Sequence, residues 1–206
     1  MLKTIMTTTK KATTKKTKTV TVTAKSSTNL NLPKNPFMFE ILDLVSRQRS
    51  KAKKIEVLKK YEELCLKGIL IWNYDESIVT LLPEGEVPYA DPEDQVTYSG
   101  TLSTKIDETI RRLHEKGSFS LGAGDSQGRT TIRREFKNFY QFVKGGNPGL
   151  NSIRRETMFI NILQGLHPLE AEILCLVKDG NLEEKYKITK EIISEAYSDI
   201  KWGGRS

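Results

Sequence analysis

Apolar residues recur along this chain at three- and four-residue spacing, the period of helices that bury one face. From Asn35-Pro36, an N-cap residue followed by proline at the first helical position, Phe37, Phe39, Ile41, Leu44 and Val45 predict a helix to about Gln48. A second helix carries Ile55, Leu58, Tyr61, Leu64, Cys65 and Leu66, with Gly68 near its end. Ile69-Leu70-Ile71-Trp72 fits either a strand or the tail of that helix, which periodicity alone does not separate. Asp75 to Leu82 reads as a short helix with acids in its first turn, stopped by Pro83.

The segment from Leu81 to Asp94 is acidic and contains Pro83, Pro88 and Pro92, so no helix runs through it. Beyond it, Ser103 and Thr104 cap a helix carrying Ile106, Ile110 and Leu113 to about Lys116. A glycine-rich loop fills 117–130. Ile132, Phe136, Phe139, Tyr140 and Val143 then predict a helix closed by Gly145-Gly146-Asn147-Pro148-Gly149. Asn151 caps the next, with Ile153, Met158, Phe159, Ile162 and Leu163 on its apolar stripe. Pro168 opens a well-marked helix with Glu170 and Glu172 in its early turns, Leu169, Ile173, Leu174, Leu176 and Val177 apolar, Lys178 in its last turn and Gly180 after it. The last helix runs from about Thr189 to Tyr197, and Trp202 to Ser206 form a mobile tail.

The expected fold is therefore all-α: seven or eight short helices in two groups, 33–99 with the proline-rich acidic connector and 100–206, packed as one domain or two close subdomains. At 206 residues, 37% of them hydrophobic, a core of useful size is available. No apolar run reaches the roughly 18 residues of a membrane span, and there is no signal-peptide core, so an intracellular protein without a membrane partner is expected. Cys65 and Cys175 fall on apolar helical positions, as small buried thiols in a reducing compartment do. With His114 and His167 as the other soft ligands and no short spacing among the four, no metal site is expected, and no cofactor.

The net charge of +7 is unevenly placed. Residues 1–32 hold seven lysines, among them Lys10, Lys11, Lys15, Lys16 and Lys18, and no acid; the remainder of the chain is neutral. This Thr/Lys-rich arm has almost nothing to bury and is expected to be disordered. Within it, Thr17 to Lys25 alternates β-branched and small residues like a strand that could add to another sheet edge. Residues 100–160 carry a local +5, against −3 and −2 in the flanking parts of the core. Arg129, Arg133, Arg134, Arg154 and Arg155 are its candidate phosphate contacts, because the guanidinium fork suits phosphate oxygens. The interleaved Phe136, Phe139 and Tyr140 are at core spacing and are expected to face inward, so base stacking is not indicated. Ordinary surface arginines, or arginines bound to the chain's own acidic connector, are the alternatives. The run Arg47, Arg49, Lys51, Lys53 and Lys54 is offset by nearby acids and reads as a solvated face.

Gly122 to Thr130 lacks the spacing and the lysine of a phosphate-cradling Walker loop, and no strand precedes it. No nucleophile and base can be paired by spacing, and the connector carboxylates sit in a polar loop. An enzyme is not expected, and no small-molecule substrate is identified.

Leu81-Leu82-Pro83-Glu84-Gly85-Glu86-Val87-Pro88-Tyr89, the stretch from Leu163 to Leu174 and Lys185-Tyr186-Lys187-Ile188-Thr189 resemble segments of an uncharacterised protein family of large contractile-tailed phages (myoviruses) of marine cyanobacteria. The likeness spans roughly residues 36–200. It implies a phage product in the cytoplasm of an infected bacterial host or in the virion, and no functional residues. Two functions are expected to compete. One is a non-enzymatic accessory protein contacting DNA or RNA, or a phage or host complex bound to it, through the arm and the arginine-rich face. The other is a virion structural or assembly protein whose arm orders on neighbouring subunits.

Overall fold

A computed structural model describes residues 31–87, 102–115 and 129–204. They form α1 (Met38–Ser46), α2 (Lys51–Lys60), α3 (Leu64–Tyr74), α4 (Leu102–Glu115), α5 (Ile132–Glu135) running directly into a 3-10 helix (Phe136–Phe142), α6 (Ser152–Gly165), α7 (Pro168–Lys178), α8 (Leu182–Tyr186) and α9 (Lys190–Ala196). No strand is present among the described residues, and the all-α expectation is met. None of these helices is long and apolar enough to cross a membrane. Residues 1–30, which hold the lysines of the arm, 88–101, 116–128 and 205–206 lie outside the described residues.

α7 is the hub. It packs on α1, α3, α4, α6 and α8, while α2 lies against α1 and α9. Ala171, Ile173, Leu174 and Val177 of α7 are buried in one cluster with Phe37, Met38, Leu42, Leu70, Ile106, Phe159 and Ile193, so helices from both sides of the connector share a core. Lys178, at the end of α7, buries its ammonium against the connector, donating to the carbonyls of Pro83 (2.7 Å) and Gly85 (3.1 Å) and pairing with Asp179.

Several boundaries differ from the sequence expectation. α1 starts at Met38 rather than Pro36, because Asn35 turns the chain with a left-handed φ of 54° and the Glu40 carboxylate accepts the Phe37 N–H at 2.8 Å. The single second helix is two, α2 and α3, parted at Tyr61 to Glu63, where Glu63 is extended and free to reach Arg133. Gly68 is then mid-helix. A Cβ there would lie 2.2 Å from the Phe136 ring, so glycine is the residue that admits this aromatic. Ile69 to Trp72 is helical. Asp75 to Leu82 is not: Asp75 accepts the N–H and hydroxyl of Ser77 and the N–H of Gly203, an Asx turn that competes with helix. Thr80 instead forms an antiparallel bridge with Val143. α8 was absent from the sequence reading. Trp202 is not a mobile tail residue, since its ring is partly buried and its indole N–H bonds Ser194 Oγ at 2.8 Å. Both cysteines are free thiols, Cys65 buried and Cys175 half-buried.

At the first turn of α7, Glu170 is fully buried. Its carboxylate accepts the N–H of Met38 (3.2 Å), the first residue of α1, and the N–H of Ile132 (3.0 Å), the first residue of α5. Two helix N-termini that would otherwise leave donors unsatisfied are thereby stapled to a third. Burial pushes this carboxyl up to about 7, against the opposing pull of both N–H groups and of Arg133. Three residues earlier, at the N-cap of α7, His167 stacks on Phe39 at 5.1 Å and accepts the Leu169 N–H, and burial holds its imidazole down to about 4.

These two shifts act on stability with opposite signs. Glu170, raised above its ordinary 4.5, supports the fold below that value and loses the contribution as pH rises through about 7. His167, depressed from 6.5, contributes above 6.5 and loses the contribution as pH falls through about 4. Between pH 6 and 8 the Glu170 contribution falls by about 1 kcal/mol and is partly offset by the recovery of the His167 contribution, which leaves a net loss of roughly half a kcal/mol. In denaturant titrations across this range, Glu170→Gln is expected to be less stable than wild type at pH 6 and to lose the decline towards pH 8, leaving only the slight rise that comes from His167. Parallel declines in both proteins would contradict the assignment.

Candidate nucleic-acid interface

Three inward phenylalanines set the site. Phe136, Phe139 and Phe142 are spaced by three, and in a 3-10 helix residues three apart eclipse one another, whereas on an α-helix they would drift around the axis. Phe139 and Phe142 are buried and Phe136 is half-buried against Gly68. Their rings meet Trp72 at 5.7 Å (Phe139) and 6.2 Å (Phe142), and Phe142 meets Phe159 edge-on at 5.2 Å. The same geometry aligns Lys137 and Tyr140, also three apart and both exposed, on another side of the 3-10 helix, and Arg134, in α5 just before it, is exposed as well.

The expectation that Tyr140 faces inward is thus overturned; its side chain is 53% exposed. Its inward neighbours Phe136 and Phe139 are as expected. The cause is the change of period from 3.6 to 3.0 at Phe136, and the sequence carries its trace in the repeat Phe-x-x-Phe-x-x-Phe. Ile153, expected on the apolar stripe of α6, is likewise 75% exposed.

The position of this stripe follows from its two ends. The N–H groups of Arg129 and Thr130 both donate to the carbonyl of Gly165, at the C-terminus of α6. At the other end, the Arg155 guanidinium in the first turn of α6 donates to the carbonyl of Gln141 at 2.8 Å. Residues 129–141 therefore run antiparallel beside α6 for about 15 Å. Arg129, Arg134, Lys137 and Tyr140 follow one another along it, and Lys144 and Arg154 lie at its far end. The turn after the 3-10 helix is held close: a Cβ on Gly146 would fall 1.6 Å from the Tyr140 carbonyl oxygen.

The five arginines singled out from sequence divide into two groups. Arg133 makes a bidentate pair with Glu63, both contacts 2.7 Å, which fixes α5 to the start of α3. Arg155 is buried and also donates to the carbonyls of Leu150 (2.8 Å) and Asn147 (3.5 Å), closing the turn that precedes α6. Both are occupied by the fold. Arg129, Arg134 and Arg154 are exposed, as are Lys137 and Lys144. Elsewhere on the described surface some cations are neutralised, Arg47 by Asp43, Lys51 by Glu191 and Glu195, Lys67 by Glu62 and Asp199, and Arg112 by Glu108, while Arg49, Lys53 and Lys59 are exposed without an ion pair. Among the described residues, no ion pair involves the five exposed cations of 129–154. The first-turn amides of α5 are likewise committed, to Glu170 and to the Thr131 hydroxyl.

Burial pushes the thiols of Cys65 and Cys175 up to about 12, away from reactive thiolate. Among the described residues no three His, Cys, Asp or Glu side chains are grouped to hold a metal ion. Lys10, Lys11, Lys15, Lys16 and Lys18 lie outside the described residues.

The model of a family of unknown function (DUF6433) matches residues 41–124 and 120–184 of the chain. These spans include most of the helical core and the whole stripe, and the chain belongs to that family. No curated protein and no solved structure matches it.

The division between occupied and exposed arginines is testable by chemical denaturation. Arg133→Ala and Arg155→Ala are each expected to cost roughly 1–3 kcal/mol by stranding Glu63 or a set of buried carbonyls. Arg134→Ala and Arg154→Ala should stay within about 0.5 kcal/mol of wild type. Equal effects for all four would contradict it.

Proposed function

We propose that this member of the DUF6433 family is a non-enzymatic accessory protein that contacts nucleic acid, directly or within a complex bound to it. The contacts would come from the lysines of the arm, Lys10, Lys11, Lys15, Lys16 and Lys18, together with Arg129, Arg134, Lys137, Lys144 and Arg154. The observation that carries this reading is the line of exposed cations along α6 without carboxylate partners among the described residues. A linear polyanion releases counterions when such a line meets its phosphates, giving binding that is sequence-independent and steeply weakened by salt. The resemblance to proteins of cyanobacterial contractile-tailed phages supports a setting in the infected cytoplasm or the virion.

The strand-like alternation of Thr17 to Lys25 favours a second reading, a virion assembly protein whose arm adds to a neighbouring subunit. Full-length variants separate the two. Replacing Arg134, Lys137 and Lys144 by Gln should weaken binding of labelled DNA and RNA and reduce the slope of log affinity against log salt by about 2–3, with the oligomeric state unchanged. Val20→Pro with Val22→Pro should leave binding intact under the first reading and abolish oligomers under the second. Absence of nucleic-acid binding by the wild-type chain at low salt would overturn the first.

A further inference from the structure

We infer that the stripe Arg134-Lys137-Tyr140 is a stacking platform for single-stranded nucleic acid, with the Tyr140 ring taking an unpaired base and the two cations taking phosphates beside it. This rests on the nucleic-acid reading above and specifies its ligand. Tyr140 stands out because the fold has hidden every neighbouring aromatic. Phe136, Phe139 and Phe142 are turned into the Trp72 and Phe159 cluster, and the eclipsed geometry that turns them in leaves Tyr140 turned out. Its ring is therefore in line with Lys137, about 6 Å away along the axis, and Arg134 is exposed in the turn of α5 that leads into this helix. Lys144 follows four residues on, just past the bridge that ties Val143 to Thr80.

The chemistry discriminates between strands. A duplex stacks and pairs its own bases and presents phosphates to an exposed ridge, so it would use the cations and leave the ring idle. A single strand presents base faces between its phosphates, and any base can stack on a tyrosine, without sequence preference. The site is also preorganised: Glu170 fixes the start of α5, Arg155 fixes the carbonyl of Gln141 next to Tyr140, and Gly146 lets the following turn close on the Tyr140 carbonyl. The ring is carried on a packed element and not on a loose loop, so little ordering is needed on binding.

The test uses the full chain and fluorescein-labelled oligothymidine, oligouridine and a DNA duplex of equal length, at physiological salt. Wild type is expected to bind at least one single strand more tightly than the duplex. Tyr140→Ala should weaken single-strand binding roughly tenfold or more and leave duplex binding unchanged, whereas Tyr140→Phe should retain it. Equal affinity of wild type and Tyr140→Ala for single strands, or loss of duplex binding in the same proportion, would overturn the stacking role while leaving phosphate contact standing. No binding of any of the three by the wild-type chain would remove the nucleic-acid reading and this inference with it.

Discussion

The buried carboxylate of Glu170 is the constraint on which the rest of the arrangement depends. It sits in the first turn of the central helix α7 and accepts one N–H from the start of α1 and one from the start of α5. Three helix beginnings thus converge on one side chain, whose two oxygens each take a donor that α1 or α5 would otherwise leave unsatisfied. A fully buried carboxylate is costly to desolvate, which is why its pKa is driven upward; removing it would leave two helix donors buried without partners. Arg133, immediately after Ile132, extends the fixture by pairing with Glu63. The orientation of α5 about its axis is set from both sides.

That orientation decides which residues of the following 3-10 helix meet solvent. With Ile132 held inward, the α-helical step of four brings Phe136 to the same side, and the period of three that follows carries Phe139 and Phe142 into the aromatic cluster and turns Lys137 and Tyr140 outward. The same segment therefore supplies core and surface chemistry from interleaved positions. α6 provides the backing: Phe159 closes the cluster from within, and Arg155 binds the turn carbonyls. The geometry of the basic stripe is a by-product of core packing.

Much of this fold is legible in the sequence, and the exceptions have physical reasons. The caps Asn151 and Thr189, the proline at the start of α7 and the glycine after it mark α6, α7 and α9 correctly, because local hydrogen bonds decide those termini. The break between α2 and α3 carries no proline or glycine and follows from the need to bring Glu63 to Arg133. The missing helix at Asp75 is a local competition, won by side-chain bonds to Ser77 and a distant glycine. For the candidate site, a local positive excess was visible but not its division. Arg133 and Arg155 look the same in sequence as Arg134 and Arg154, and only the fold spends one of each pair on Glu63 and on carbonyls. A 3.6-residue period places Tyr140 inward, but the phenylalanines of this segment repeat every three and turn it outward.

The central claim is that the outward set of 134, 137 and 140 is a binding surface, and amide chemical-shift mapping tests it most directly. Titrating the isotope-labelled full-length protein with a short oligothymidine should perturb amides of 129–144 and the first turn of α6, in addition to any in the arm, while those of α2 and α9 stay in place. Perturbations confined to residues 1–32, or none at all, would contradict the account and reduce this stripe to ordinary solvated surface.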